Sequence, residues 1–186
     1  YTDEPFCAAA AVNADMRART VTINGVSKAY AMTGFRIGYA AAAPAIINAM
    51  SALLSHTTGS PNTCAQAAAA AALLGDQRDA ACMRQTFLRR RDRLADALAE
   101  IPHVRYSLPQ GAFYVMLDIR ALLADGAYAD ESDFALRLLD TEGVAVVPCA
   151  DYGAPGCIRL SYTLEEARLL EGVRRLKRFI ERTGRA

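Results

Sequence analysis

An α/β fold is predicted by three features of the sequence. From about residue 76 onward, segments with helical spacing of apolar residues alternate with short segments of period-two spacing, in the order helix, strand, helix, strand, strand, helix. The breaks between them carry Pro, Gly and Asp, residues that end or open regular structure. Across 186 residues, 53% are hydrophobic and 22% charged with a net charge of +1, which is ordinary for a chain that builds a packed core. This balance excludes disorder and gives no global electrostatic pull toward nucleic acid. No run of about 20 apolar residues is present, so no membrane helix is expected. Tyr1, Thr2, Asp3 and Glu4 begin no basic-then-apolar pattern, so no signal peptide is expected.

The elements follow in order. The first stretch reads as irregular up to an extended segment at Val21 to Asn24, and a loop leads to a second extended run from Arg36 to Ala41. Pro44 suits a first helical turn, where its missing N–H would be unpaired anyway, and Ala45 to Leu54 continues as helix. Ser60 and Pro61 repeat that start signal before an alanine-rich run ending at Gly75. Beyond Asp76, Met83, Phe87, Leu94 and Leu98 keep one helix face apolar, while Arg89, Arg90, Arg91 and Arg93 fall largely on a solvated face. Asp92 and Asp96 interleave with those arginines and no stacking aromatics accompany them, so they make no nucleic-acid patch.

Phe113, Val115 and Leu117 alternate against Ala112, Tyr114 and Met116, a strand signature. Asp130 with Asp133 opens a helix carrying Phe134, Leu138 and Leu139, which Gly143 can end in a left-handed conformation. Val144 to Val147 and Cys157 to Ser161 are strand candidates. Thr163 and Glu166 have capping-box spacing before the apolar positions Leu170, Val173, Leu176 and Ile180, with Gly184 as the terminator. Residues 76–186 thus read as a small α/β domain. Residues 1–75, with two strands and two alanine-rich helices, make a thin core with unpaired sheet edges and read as part of a larger domain.

Five cysteines, at 7, 64, 82, 149 and 157, form an odd set without a close C-x-x-C pair. This argues against zinc or any other metal site and against a disulfide framework, and for free thiols in a reducing, cytoplasmic setting. The basic residues are nearly all arginine: of 21, only Lys28 and Lys177 are lysines.

Lys28 stands in the most informative segment, Ser27-Lys28-Ala29-Tyr30-Ala31-Met32-Thr33-Gly34-Phe35-Arg36-Ile37-Gly38-Tyr39. A lysine that spends time uncharged can condense with an aldehyde, and an arginine fork matches phosphate oxygens better than a point charge does. Further on, Cys157-Ile158-Arg159-Leu160-Ser161-Tyr162 puts an arginine between apolar residues, where burial is costly without a partner.

The joined lysine segment resembles the lysine signature of the pyridoxal-phosphate-dependent aminotransferases of class I/II, the aspartate aminotransferase superfamily with fold type I. Pro109 to Tyr114 and Val144 to Pro148 resemble two further elements of that family, and residues 21–186 follow its later half in order. The resemblance implies a partial fold: residues 1–75 as the end of the large mixed-sheet, cofactor-binding domain, and residues 76–186 as the small C-terminal α/β domain. It implies a Schiff base between Lys28 and pyridoxal 5'-phosphate, with Lys28 also carrying the substrate proton. Arg36 and, more weakly, Ser27 are implied at the cofactor phosphate, with Gly34 letting that loop turn tightly, and Arg159 at the substrate α-carboxylate.

The implied reaction moves an amino group between an L-amino acid, aspartate among the candidates, and a 2-oxo acid, in a full-length protein that forms a homodimer. Ser55 to Asn62 departs from the family pattern, with Gly59, Ser60 and Pro61 where Ser-Asn-Pro is usual. The family's groups for the pyridine nitrogen, the cofactor hydroxyl and ring stacking belong to a preceding half, so the chain reads as an inactive C-terminal fragment. A lyase or synthase of the same fold, or a noncatalytic folding or dimerisation unit, are the alternatives.

Overall fold

The computed structural model describes residues 1–183, and the first departure from the expected elements comes early. The stretch read as irregular contains a short 3-10 turn, Ala9–Ala11, and a helix α1, Ala14–Arg19, opened by Asn13, whose side chain accepts from Met16 N. That cap satisfies one of the unpaired N–H groups of the first turn and offsets the absence of an apolar stripe. Strand β1, Thr22–Gly25, then pairs antiparallel with β2, Gly38–Ala41, with Thr22 opposite Ala41 and Gly25 opposite Gly38. The second strand starts two residues later than expected because Arg36 is left-handed, at φ 55°.

Helix α2, Pro44–Thr57, has its proline in the first turn as expected. Helix α3, Thr63–Leu74, is capped by Asn62, whose side chain accepts from Ala65 N, and not by Ser60. Helix α4 spans Arg78–Leu98. The chain divides into two units: Asp3–Met83, and Tyr1–Thr2 together with the chain from Arg84 onward.

The second unit holds a four-stranded antiparallel sheet. Its strands are β3 (Arg105–Tyr106), β4 (Tyr114–Asp118), β5 (Val147–Pro148) and β6 (Cys157–Ser161), in the spatial order β3-β4-β6-β5. The two-residue β3 carries too short a pattern to be read from sequence, as does the one-turn helix α5, Arg120–Leu123. Of the extended run expected at 144–147, only Val147 joins the sheet.

Helix α6, Glu131–Glu142, matches its expected ends: Asp130 accepts from Ser132 N and Asp133 N, and Gly143 closes it at φ 66°. Helix α7, Glu166–Thr183, begins two residues later than the capping-box spacing implied. Thr163 pairs its hydroxyl with Ser161, and Glu166 accepts from Arg93 Nε at 3.2 Å. Gly184, expected to end α7, lies outside the described residues.

Alternation along the strands sets the core. Val115 and Leu117 of β4 and Ile158 and Leu160 of β6 are buried, as are Leu94 and Leu98 of α4, Phe134 and Leu138 of α6, and Val173, Leu176 and Ile180 of α7. Burying each such side chain contributes about 1.5–3 kcal/mol. The opposite sheet face carries Tyr114, Met116, Val147, Arg159 and Ser161, all half-buried or exposed. The arginines of α4 are not uniformly solvated: the Arg91 side chain is only 13% exposed, donates to Pro109 O, and lies 5.2 Å from the centroid of Tyr1.

Candidate functional site

Lys28, Ser27 and Arg36 all sit on the connection between β1 and β2. Its neck is narrow: a Cβ on Gly25 would lie 3.0 Å from Ile37 O, and one on Gly38 would lie 3.3 Å from Asn24 O. Glycine at both positions therefore lets the two strands approach closely enough to frame residues 26–37 as one loop. Val26 is fully buried and anchors the start. Its carbonyl accepts from Tyr30 N at 3.3 Å, and Lys28 O accepts from Ala31 N at 3.2 Å, so Ser27 to Tyr30 form a turn.

The chain then reverses through two left-handed residues, Ala31 at φ 53° and Arg36 at φ 55°. Each costs roughly 1–2 kcal/mol for a residue with a Cβ. The expected turning glycine, Gly34, is not one of these positions, and a Cβ there would meet nothing within 4 Å. Tyr30 steadies the loop by donating from its hydroxyl to Gln77 Oε1 at 3.0 Å. Arg36 donates from Nη1 to Thr33 O at 3.0 Å. The Lys28 and Arg36 side chains are exposed, and Ser27 is half-buried.

Arg159 belongs to the other unit, on the sheet face turned away from the core. It lies opposite Met116 of β4 and Val147 of β5, between two buried neighbours, Ile158 and Leu160. Strand alternation therefore spares its guanidinium the interior. The partner anticipated for a partly desolvated arginine is aromatic: its Cζ lies 4.5 Å from the ring centroid of Tyr114 and 5.0 Å from that of Tyr152. Such contacts favour the cation and occupy ring-facing surface, leaving in-plane donors for an anion.

Tyr152 lies on the connection between β5 and β6. Cys149 O accepts there from Tyr152 N and Ala154 N, both at 3.0 Å. Gly156, at φ 74°, donates its N–H to Glu131 Oε2 at 3.1 Å, and its carbonyl accepts from Ile119 N at 3.0 Å. Glu131 is 5% exposed. Nearby, burial raises the Cys149 thiol pKa, and the charge of Arg159 offsets this only in part.

Three of the four expected site residues thus share one loop, and the fourth has its own aromatic surroundings on the second unit. Tyr114 and Tyr152 were not singled out from sequence. The strand period puts Tyr114 on the outer face, but only the β4–β6 register brings that face to Arg159, and the loop around Tyr152 carries no periodic signal.

The chain is similar to known proteins along nearly its whole length. The family profile "Aminotransferase class I and II" matches residues 1–176. The chain belongs to this family. It is 38% identical over 182 residues to the asparagine–oxo-acid transaminase of Streptococcus mutans, covering 98% of this chain and 46% of that protein. It is 42% identical over 172 residues to the aspartate aminotransferase of Geobacillus stearothermophilus, covering 92% and 44%.

Among solved structures, the aromatic aminotransferase of Pyrococcus horikoshii matches with a TM-score of 0.90 at 32% identity, covering 99% of this chain and 48% of that one. The aspartate aminotransferase of Rhizobium meliloti matches with a TM-score of 0.88 at 35% identity, covering 98% and 47%. The chain therefore spans about half the length of the relatives it matches. The α/β architecture is that of a partial fold-type-I transferase, and pyridoxal phosphate is the typical cofactor of this family. The β1–β2 loop carries a primary amine, a guanidinium and a hydroxyl, the donor types that an aldehyde with a phosphate arm calls for.

Proposed function

We propose that this chain is the C-terminal part of a pyridoxal-phosphate-dependent aminotransferase that moves an amino group between an L-amino acid and a 2-oxo acid. The observation that carries the reading is the joint presence of Lys28, Ser27 and Arg36 on a single β1–β2 loop in a chain of this family. Lys28 Nζ would hold the cofactor, and Arg36 and Ser27 would bind its phosphate. When bound, the cofactor supplies an aldehyde that takes up amino groups and a conjugated ring that accepts electrons from the substrate Cα.

Lys28 Nζ would also be the base that takes the proton from substrate Cα. Arg159 orients the substrate by a two-pronged contact with its α-carboxylate, an interaction that needs a planar fork. Aspartate as a donor is suggested by two of the relatives, the aspartate aminotransferases of Geobacillus stearothermophilus and Rhizobium meliloti. A homodimer of the full-length protein is part of the same reading, supported by Ile46, Met50 and Leu53, which leave an exposed apolar stripe on α2. A cytoplasmic setting rests on the odd set of five cysteines.

The test is chemical trapping. The chain is mixed with pyridoxal phosphate, reduced with borohydride, and mapped by peptide mass spectrometry beside a Lys28→Ala variant. A phosphopyridoxyl group concentrated on Lys28, and lost in the variant, is the expected result. Labelling shared evenly between Lys28 and Lys177, and unchanged in total by the substitution, would overturn the assignment.

A further inference from the structure

The aromatic rings beside Arg159 raise the question of what holds that guanidinium in place. Arginine carries four side-chain torsions, and an arginine on an open sheet face ordinarily samples many of them. Here the alternatives are restricted from two separate elements. Tyr114 comes from β4, where it lies opposite Ser161, two residues along β6 from Arg159, on the same outer face. Tyr152 comes from the β5–β6 connection, and its ring lies 5.0 Å from Arg159 Cζ although the residue itself is 62% exposed.

That loop is anchored at both ends. Cys149 O receives Tyr152 N and Ala154 N on one side. On the other, the buried carboxylate of Glu131 receives Gly156 N, and Ile119 N donates to Gly156 O. Gly156 is left-handed, at φ 74°, a conformation in which a residue with a Cβ would be strained. Breaking a hydrogen bond to a buried carboxylate is costly, so the Glu131–Gly156 contact holds this end of the loop in place.

We propose that Tyr114 and Tyr152 are positioning residues that hold the Arg159 guanidinium in one orientation, its ring-facing surface covered and its in-plane N–H groups presented to an incoming carboxylate. The carboxylate part of this inference rests on the function proposed above; the immobilisation of Arg159 does not. The rings act through their π faces, so phenylalanine substitutes for tyrosine at either position and leucine does not.

The experiment uses the 186-residue chain and reads the Arg159 Nε–Hε group by nitrogen-15 NMR, with L-aspartate as the carboxylate probe. In the unsubstituted chain the Arg159 Nε order parameter should be well above that of exposed Arg84, a comparison that needs no variant. Tyr114→Leu and Tyr152→Leu should each lower it and weaken aspartate binding about threefold to tenfold, while Tyr114→Phe and Tyr152→Phe restore both. An Arg159 as mobile as Arg84, or phenylalanine variants as loose as the leucine ones, overturns the positioning role. An ordered Arg159 that responds to the ring substitutions but not to aspartate supports the positioning role and removes the carboxylate reading alone.

Discussion

Asp118 is the clearest case of one residue whose protonation is tied to the folded structure. Arg120 donates to it three times, from N and Nε to Oδ1, both at 3.0 Å, and from Nη2 to Oδ2 at 2.6 Å. These bonds hold the Asp118 carboxyl well below its ordinary range, from 3.8 to about 2. A carboxylate whose folded pKa is depressed contributes stability above its unfolded pKa and loses it as pH falls toward the folded one. The contribution is therefore complete at neutral pH and disappears between about pH 4 and about pH 2. Asp118→Asn should lower the urea midpoint near neutrality, and the gap from the unsubstituted chain should close through that acid window. A gap that stays constant with pH would mean that the ion pair is not its source. Because the pair is solvent-accessible, the gap should also shrink with added salt.

At the scale of elements, α6 offers a sharper test of packing. Leu138 is fully buried, while Leu139, next in sequence, is 47% exposed, so a helix whose apolar positions were read as one set presents them to two environments. Leu138→Ala should cost about 2–5 kcal/mol in urea denaturation, through lost transfer energy and a residual cavity. Leu139→Ala should stay within about 0.5 kcal/mol. Equal losses would mean that α6 is rotated from the orientation described here. The C-terminal end of the same helix is tied down by charge: Glu142, 6% exposed, accepts from Arg178 and Arg182 of α7, and Arg175 donates to its carbonyl.

The ends of α6 were legible in the sequence because Asp130 and Gly143 act through local backbone chemistry, and β4 was legible because its alternation spans five residues. β3 was not, since two residues define no period and its pairing depends on β4. The start of α7 was misjudged because Thr163 and Glu166 have the right spacing but bond to Ser161 and Arg93, a choice that tertiary structure makes. The candidate site divides in the same way. Lys28 and Arg36 are singled out by a contiguous motif, and Arg159 by its flanks, whereas Tyr114 and Tyr152 meet Arg159 only through strand register and a folded loop.

Over the whole molecule, apolar burial is distributed unevenly between the two units. The contiguous buried cluster runs through α4, β4, α6, β6 and α7, and all of its members follow Arg84. Residues 3–83 contribute Val26, Ala65 and Ala69 to the buried apolar set, while Phe6, Ile23, Leu53 and Leu74 are 94%, 77%, 66% and 87% exposed. Small alanine contacts bury little area, and large side chains left in water contribute none of the transfer energy that opposes chain entropy. Regions with few buried apolar contacts open at lower free energy than the core they are joined to. Hydrogen exchange should therefore be slowest in β4, β6 and α7 and markedly faster in β1, β2, α2 and α3, despite the regular hydrogen bonding of those helices. The same contrast should appear as early proteolytic cleavage within residues 3–83. Equal protection of the two units would mean that forces other than apolar burial stabilise the first. If pyridoxal phosphate binds to the β1–β2 loop, its addition should slow exchange first at residues 26–37, because a ligand bound only by the folded form stabilises the unit that carries its site.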